Sequence, residues 1–394
     1  MFFKGSPRYV QAAKFRDDRA MNSTSTTSSA TQSQPPSPAP VRIALVGYGN
    51  AGRIFHAPLI TGVPGLQLAC IVSSKPDAVR ADWPHVRVVA SPQEAMDDPD
   101  IDLVVIATSN SSHHPLAKAA LLAGKHVVVD KPCAVSLAQT EELLALAQAK
   151  QRVLTVFQNR RFDADFFTLR QVLADGELGR VVHVESHFDR YRPQVPGRWR
   201  DENLPGSGLW FDLGAHLVDQ VLQLFGMPDA LNLDLAQQRD GAQTNDWFHA
   251  QLKFESRYPG LRVILHGSAL VPAIGPRWTV HGTQGSFIKH GLDTQEDALK
   301  TGRRPQLVNL QDWGLDPLPG ELLKQLPQAA SFEAVRRNAT NLPGNYLLYY
   351  ANLRDHLQGA APLEVTPMQV RQVMQLLTLG EQSAAQGRYV SVPA

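Results

Sequence analysis

Cysteine is nearly absent from this chain: Cys70 and Cys133 are the only two among 394 residues. Two thiols cannot build a disulfide framework, and neither sits in a CxxC or Cys/His pattern that would hold zinc. Sparse, unpaired cysteine is the usage of a reducing compartment, so a cytoplasmic location is expected. Net charge is almost absent as well, since 38 basic and 37 acidic residues leave +1. Bulk binding of nucleic acid or anionic lipid needs a charged face, so neither partner is expected. No apolar run reaches the ~18 residues of a membrane-spanning helix. The remainder is ordinary for a globular chain, with 43% hydrophobic and 19% charged residues. At roughly 100–200 residues per domain, the length suits two or three domains.

The first forty residues stand apart. Lys4, Arg8, Lys14, Arg16 and Arg19 against Asp17 and Asp18 give them +3, leaving −2 for the rest. Between Asn22 and Pro40, fourteen of nineteen residues are Ser, Thr or Pro. Such a stretch cannot bury enough apolar surface to offset its ordering entropy, so residues 1–40 are expected to be a disordered extension. They lack the apolar core of a secretory signal. An organelle address and a later start at Met21 both remain open.

After Pro40 the pattern changes. Val41–Val46 is a short apolar strand, followed directly by Gly47-Tyr48-Gly49-Asn50-Ala51-Gly52 and a helix over Arg53–Ile60. A GxGxxG alone is weak, but strand before and helix after is the context the motif requires. The first glycine permits the turn, the second lets backbone approach a pyrophosphate, and the third allows close helix–strand packing. The unpaired amides at the helix N-terminus then face the anion. Strand-like runs recur at Leu66–Val72, Val86–Val89, Ile101–Ala107, His126–Val129 and Val153–Phe157, with helices near Pro115–Ala123 and Ser136–Lys150. This alternation predicts an α/β, doubly wound parallel sheet over residues 41–160. Ligands on such sheets lie beyond the carboxyl ends of the strands, which singles out Ser73, Thr108, Asn110 and Lys131. NAD sites usually carry Asp or Glu after the second strand. Here Ser73, Ser74 and Lys75 stand there instead, a set suited to a 2′-phosphate. NADP is therefore the expected cofactor, with NAD as the alternative.

Two further segments carry chemistry. Val127–Pro132 places Lys131 just beyond a buried strand, where a nicotinamide would lie. Gly208–Asp219 reads as a helix in which Asp212 and His216, four apart, share one face. Gly214 between them suggests that something approaches the backbone there. Oxidising a secondary alcohol requires a hydroxyl proton to leave as hydride departs. Histidine, with an ordinary pKa near ~6.5, is suited to take it at neutral pH. Lys131 would stabilise negative charge on the reacting oxygen, and Asp212 would hold a substrate hydroxyl or orient the imidazole.

Other features support weaker assignments. Asn159–Asp163 follows the sixth strand, making Arg161 and Asp163 candidates for substrate contact. Arg190-Tyr191-Arg192 and Arg198-Trp199-Arg200 interleave cations and rings. Without a net basic excess, this pattern is assigned to a polyol rather than a nucleic acid, with Tyr191 and Trp199 as contacts. His183, Glu185 and His187 alternate along a strand and could hold a metal. They are read instead as the polar side of a half-exposed sheet, and no metal site is assigned. The region 161–394 otherwise reads as α+β, with strands near Leu231–Ala236, Trp247–Phe254, Leu261–Ser268, Arg277–Gly282 and Ser286–Lys289. Closing helices fall near Asn345–Leu357 and Pro367–Gln386, while Asp293–Leu326 has no clear assignment.

The ordered motifs GYGNAGRIFHAPL, ATSNSSHHPLA, GKHVVVDKP and DLGAHLVDQ resemble those of the Gfo/Idh/MocA (glucose–fructose oxidoreductase/inositol dehydrogenase) family, over about residues 41–394. VSSKPDAV, ADWP, DKP and QNRRFDADF are most similar to its NADP-dependent scyllo-inositol dehydrogenase branch. The resemblance implies a Rossmann domain and a second domain with a large open, mainly antiparallel sheet, commonly used to form a homodimer. It places the family's lysine, aspartate and histidine on Lys131, Asp212 and His216, and its binding-loop residues on Asn110 and His113, counted here as cofactor contacts. Asp130 stands where Glu is more frequent, Ser109 where Pro is, and Cys133 where an aromatic is; the last could alter the pocket wall. The implied activity is interconversion of a secondary alcohol and a ketone on a cyclitol or sugar. The family also includes NAD-retaining glycosidases and a transcriptional regulator, so transient use of a bound cofactor, or sensing without turnover, are the alternatives.

Overall fold

The computed structural model describes residues 39–325 and 334–393, so the expectation for residues 1–40 falls almost wholly outside the described residues. From Val41 onward two sheets organise the chain. The first contains β1 (Val41–Val46), β2 (Leu66–Val72), β3 (Arg87–Val89), β4 (Leu103–Ile106), β5 (His126–Val129) and β6 (Leu154–Val156). Their order is β3-β2-β1-β4-β5-β6, all parallel. That is the doubly wound order with a crevice between the first and fourth strands. The strands are buried on both faces, and β4 and β6 have no exposed position. This is why they read in sequence as unbroken apolar runs rather than alternations.

The second sheet has nine strands: β7 (Val181–His187), β8 (Ala230–Ala236), β9 (Trp247–Lys253), β10 (Arg262–Ser268), β11 (Trp278–Gly282), β12 (Gly285–Lys289), β13 (Glu321–Gln325), β14 (Ala334–Asn338) and β15 (Val390–Ser391). The order is β14-β13-β12-β11-β7-β10-β9-β8-β15, antiparallel except where β7 runs beside β10. Phe248, Ala250 and Leu252 point inward while Trp247, His249 and Gln251 do not, so one face is packed and the other open. The helix Pro367–Gln386 covers part of the packed face at β8. Thr366 caps its start in a reciprocal arrangement with Gln369, and Gly387 ends it in the left-handed region (φ +62°). Among the described residues, no helix is long and apolar enough to cross a membrane.

Three elements differ from the sequence expectation. The helix expected from Pro115 begins a full turn earlier, at Asn110 after the cap residue Ser109. Pro115 therefore lies inside the helix, where it removes the bond to the carbonyl of Ser111, an exposed residue whose oxygen can turn to water. The segment Trp210–Gly214 is a π-turn that opens the α-helix Ala215–Phe225. The unassigned stretch Asp293–Leu326 contributes a helix, Gln295–Lys300, and strand β13.

Candidate active site

The glycine turn after β1 is shaped by contacts a side chain would destroy. Gly47 sits at φ +100°, and a Cβ there would lie 2.5 Å from the carbonyl oxygen of Ala107. A Cβ on Gly52 would lie 2.1 Å from the oxygen of Gly47, so the third glycine closes the turn on itself. Around Gly49 a Cβ would meet nothing within 4 Å. The middle glycine is thus required neither by conformation nor by packing in the protein alone. The open space over its backbone is the cradle a pyrophosphate needs.

Next to this turn, a cleft of about 270 Å³ is lined by Asn50, Ala51, His56, Lys131, Asn159, Arg160, Asp212 and His216, among others. An adjoining cavity of about 260 Å³ shares Asn50, Ile54 and Lys300 with it and continues past Tyr48, Trp83 and Arg304. Seven cations and three carboxylates line the larger cleft, an excess that suits a polyanionic nucleotide.

Lys131, at the end of β5, anchors the centre. Its Nζ donates to Asp212 Oδ1 at 2.8 Å and to the Asp212 main-chain oxygen at 2.6 Å. Arg200 approaches the same Oδ1 at 3.9 Å. Burial alone would raise the Asp212 pKa, but Lys131, Arg200 and Arg190 outweigh it and hold the carboxyl far below the usual carboxylate range. His216 is buried, and burial followed by the charges of Lys131 and Arg160 pushes its pKa well down, so it is a neutral imidazole. Its Nδ1 is buried without a hydrogen-bond partner among the described residues. Asp212 and His216 do converge on one cleft, but the carboxylate's partner is the lysine, and it does not orient the imidazole. Gly214 also has a different reason from the expected one: a Cβ there would strike the Trp210 ring at 2.4 Å, so the approaching group is that indole.

The remaining sequence candidates divide. Tyr48, Asn50 and Ala51 line the cavities, and the Tyr48 hydroxyl donates to Asp82 at 2.8 Å. Ser73, Ser74, Lys75 and Thr108 lie at strand ends outside these two cavities; Ser73 Oγ accepts from the Lys75 amide at 3.0 Å. Asn110 and His113 are held by main-chain carbonyls. Asn110 is buried and donates to the Gly206 carbonyl at 2.8 Å, while His113 Nδ1 donates to the Pro132 carbonyl at 2.8 Å. They fasten the loops around Lys131 and line neither cavity.

Arg161 and Asp163 are also corrected. Arg161 is sealed in an ion pair with Asp219, and Asp163 accepts from the Tyr346 hydroxyl at 2.7 Å, both away from the cleft. Their neighbour Arg160 is the one that lines it, beside Glu296 at 2.5 Å. In the chain leaving β7, Arg190 and Arg192 line the cleft, whereas Tyr191 between them is 57% exposed. Likewise Arg198 and Arg200 face it and Trp199 does not, its ring packing under the Arg200 guanidinium at 4.9 Å. The cations line the cleft, not the rings expected from the sequence. Tyr191 alternates with Arg190 and Arg192 in chain whose phase is fixed by β7 before it, whereas Trp199 and Arg200 lie in the 3₁₀ turn Trp199–Asp201, whose geometry no alternation announces. Glu296 and Lys300 were missed because they lie in the stretch without an assignment.

Comparison with known proteins agrees with this architecture. Residues 41–158 match an oxidoreductase-family model described as an NAD-binding Rossmann fold, and residues 170–392 match that family's C-terminal alpha/beta domain. The chain is 52% identical over 345 residues to the uncharacterized oxidoreductase YdgJ of Escherichia coli, covering 87% of this chain and 96% of that one. It is 35% identical over 350 residues to scyllo-inositol 2-dehydrogenase (NADP(+)) IolW of Bacillus subtilis, covering 89% and 95%. The solved structure of YPO2259 from Yersinia pestis aligns with a TM-score of 0.84 at 48% identity, over 90% of this chain and 98% of that one. The matched models span both sheets and the glycine turn that opens the cleft, and the chain belongs to the Gfo/Idh/MocA family of NAD(P)-dependent oxidoreductases.

Proposed function

We propose that this oxidoreductase uses NADP to interconvert a secondary alcohol and a ketone on a cyclitol or sugar. The observation that carries this reading is Lys131, held by Asp212 at the mouth of the glycine-turn cleft with neutral His216 on the same wall. The similarity to IolW supports the cofactor and the substrate class. So does the end of β2, where Ser73, Ser74 and Lys75 stand in place of a carboxylate. A cytoplasmic homodimer formed through the open sheet face belongs to the same reading.

When bound, the nicotinamide supplies the hydride acceptor or donor. An ammonium has three N–H donors, and Lys131 commits two to Asp212, leaving one for the reacting oxygen. Asp212 keeps that ammonium aimed and partly neutralised before substrate arrives. As negative charge develops on the oxygen, Lys131 stabilises it without reorganising. The hydroxyl proton passes to His216 at Nε2, because Nδ1 is buried. In the ketone-reducing direction the same atom returns it.

The test is a purified-protein screen of NADP and NAD in parallel against inositols, pyranoses and their keto forms, following nicotinamide absorbance. Turnover with NADP and a cyclitol or sugar is expected. Silence across the panel, with nucleotide still bound to the protein, would favour transient cofactor use or sensing instead.

Two predictions belong to this site. Gly49→Val leaves the apo fold undisturbed because its side chain enters empty space, yet it fills the cradle. Unchanged melting temperature with at least about tenfold weaker NADPH binding in a fluorescence titration is expected, since each tenfold is only about 1.4 kcal/mol. The second concerns pH. Asp212 is held low, so it remains ionised; His216 is held low, so it remains neutral. Both are held well below their ordinary values, so kcat/KM for alcohol oxidation shows no break near ~6.5 from the histidine. A break there that disappears in His216→Asn would contradict the assigned state.

A further inference from the structure

The open face of the nine-stranded sheet carries a cluster that the oxidoreductase chemistry does not use. His187 ends β7, and His266 is its register partner on the parallel strand β10, their rings 5.1 Å apart between centroids. Asp189, two residues beyond His187, returns to the same face. His187 Nδ1 lies 3.4 Å from Asp189 Oδ2, and His266 Nε2 lies 3.5 Å from Asp189 Oδ1. One ligand atom from each of the three lies within 4.8 Å of the others.

We propose that His187, Asp189 and His266 bind a single divalent transition-metal ion of the zinc class.

The separations carry the argument. At 3.4 and 3.5 Å they exceed the usual hydrogen-bond range of about 2.7–3.2 Å. The two contacts reach different oxygens of one carboxylate, so Asp189 bridges the rings, and one ligand atom from each residue falls within 4.8 Å of the others, near enough for small side-chain adjustments to bring all three to about 2.0–2.2 Å from a shared zinc-class ion. The Asp189 side chain is only 7% exposed, and its Oδ1 makes no hydrogen bond among the described residues. A buried carboxylate oxygen left without a donor and directed between two imidazoles is costly unless a cation completes the site.

The surroundings are those of a metal ligand. Glu185 accepts from His187 Nε2 at 3.0 Å; a carboxylate behind a ligating histidine is the common outer arrangement of zinc sites, and with a bound ion it leaves Nδ1 to give its lone pair to the metal. Glu185 is itself steadied by His183 Nε2 at 2.8 Å. His266 packs edge-on against Trp247 with ring centroids 5.5 Å apart, which fixes the orientation of its ring. Two imidazoles and one carboxylate suit zinc, cobalt or nickel rather than magnesium or calcium, which prefer all-oxygen shells. The His183/Glu185/His187 alternation visible in sequence is not the ligand set, because Asp189 and His266 come from the strand exit and the neighbouring strand. The ion's role is structural: it ties the end of β7 to β10 just before Arg190 and Arg192 enter the cleft, where the Arg190 amide already donates to the Ser268 carbonyl at 2.9 Å.

The test uses the full chain, stripped with chelator and titrated with Zn²⁺ by calorimetry and with Co²⁺ by visible absorption. One ion per chain, a higher melting temperature with Zn²⁺, and intense tetrahedral Co²⁺ bands are expected. Asp189→Asn and His266→Gln should each weaken Zn²⁺ binding by more than about tenfold, since even outer-shell changes at zinc sites cost about 10–100-fold. His281→Gln, on the same face but outside the cluster, should leave it unchanged. Circular dichroism identifies any variant that fails to fold, and the other ligand variant then decides. The proposal is overturned by absence of a stoichiometric ion, by binding that survives both ligand substitutions, or by an equal loss in His281→Gln, which would mean adventitious chelation by surface histidines.

Discussion

Lys131→Ala lowers kcat by about 10²–10³-fold while leaving NADPH affinity within about twofold, the signature of a donor that acts on the reacting oxygen. The expectation follows from where the ammonium's bonds go. Two of its donors are fixed on Asp212 at 2.8 and 2.6 Å, and neither is spent on the glycine turn that holds the nucleotide. Removing the side chain deletes the one group already aimed at a developing alkoxide, a loss of about 3–4 kcal/mol in transition-state stabilisation. It also strips Asp212 of its nearest cation, leaving Arg200 at 3.9 Å and the more distant Arg190. The carboxyl pKa therefore rises, and a new dependence on pH enters the variant that the parent enzyme lacks. Lys131→Arg should not rescue turnover, because a planar fork cannot keep both Asp212 bonds and direct a third donor at the substrate. The measurement is steady-state kinetics alongside NADPH fluorescence titration. Equal losses of turnover and nucleotide affinity would show that Lys131 binds cofactor rather than acting at the oxygen.

That lysine was legible in the sequence because its signal is local: a buried apolar strand, β5, ends immediately before it. The same holds for the first sheet, where fully buried parallel strands print themselves as runs such as Leu103–Ile106. Asp212 and His216 were found by spacing within one helical segment, although the π-turn at Trp210–Gly214 and the lysine partner of Asp212 were not visible. Illegibility begins where a residue's role depends on distant chain. Asn110 looks like a strand-end ligand contact until Gly206, 96 residues on, takes its side chain. Arg190 and Tyr191 cannot be told apart until the phase of β7 is fixed. The helix Gln295–Lys300, which brings Glu296 to Arg160, is short and polar, so its hydrophobic pattern gives too little to read.

Arg161 is the sharpest case of this kind, and it sets the second large effect: Asp219→Ala destabilises the fold by about 3–5 kcal/mol. In sequence Arg161 looks like a cleft residue, since Asn159–Asp163 follows the sixth strand of the first sheet. In the structure its Nε and Nη2 donate to Asp219 Oδ2 and Oδ1 at 2.8 and 2.6 Å, with both side chains 3% exposed or less. Its Nη1 donates to the Glu364 carbonyl at 3.1 Å and to Gln369 Oε1 at 2.9 Å, so one guanidinium joins the turn after β6, the helix Ala215–Phe225 and the start of the helix Pro367–Gln386. Burial pushes the Asp219 pKa above the ordinary carboxylate value against the pull of Arg161. The pair therefore gains little over an apolar packing of the same volume, yet each half is expensive without the other. Asp219→Ala strands a buried cation; Arg161→Met strands a carboxyl that can at least accept a proton, and should cost less. The double variant Arg161→Met/Asp219→Leu should recover most of the loss. Urea unfolding of the four proteins measures this cycle. Additive losses in the double variant, or an Asp219→Ala change below about 1 kcal/mol, would show that the pair is not the buried junction described. Where the single variants remain folded, KM for substrate should be unchanged, because neither side chain reaches the cleft.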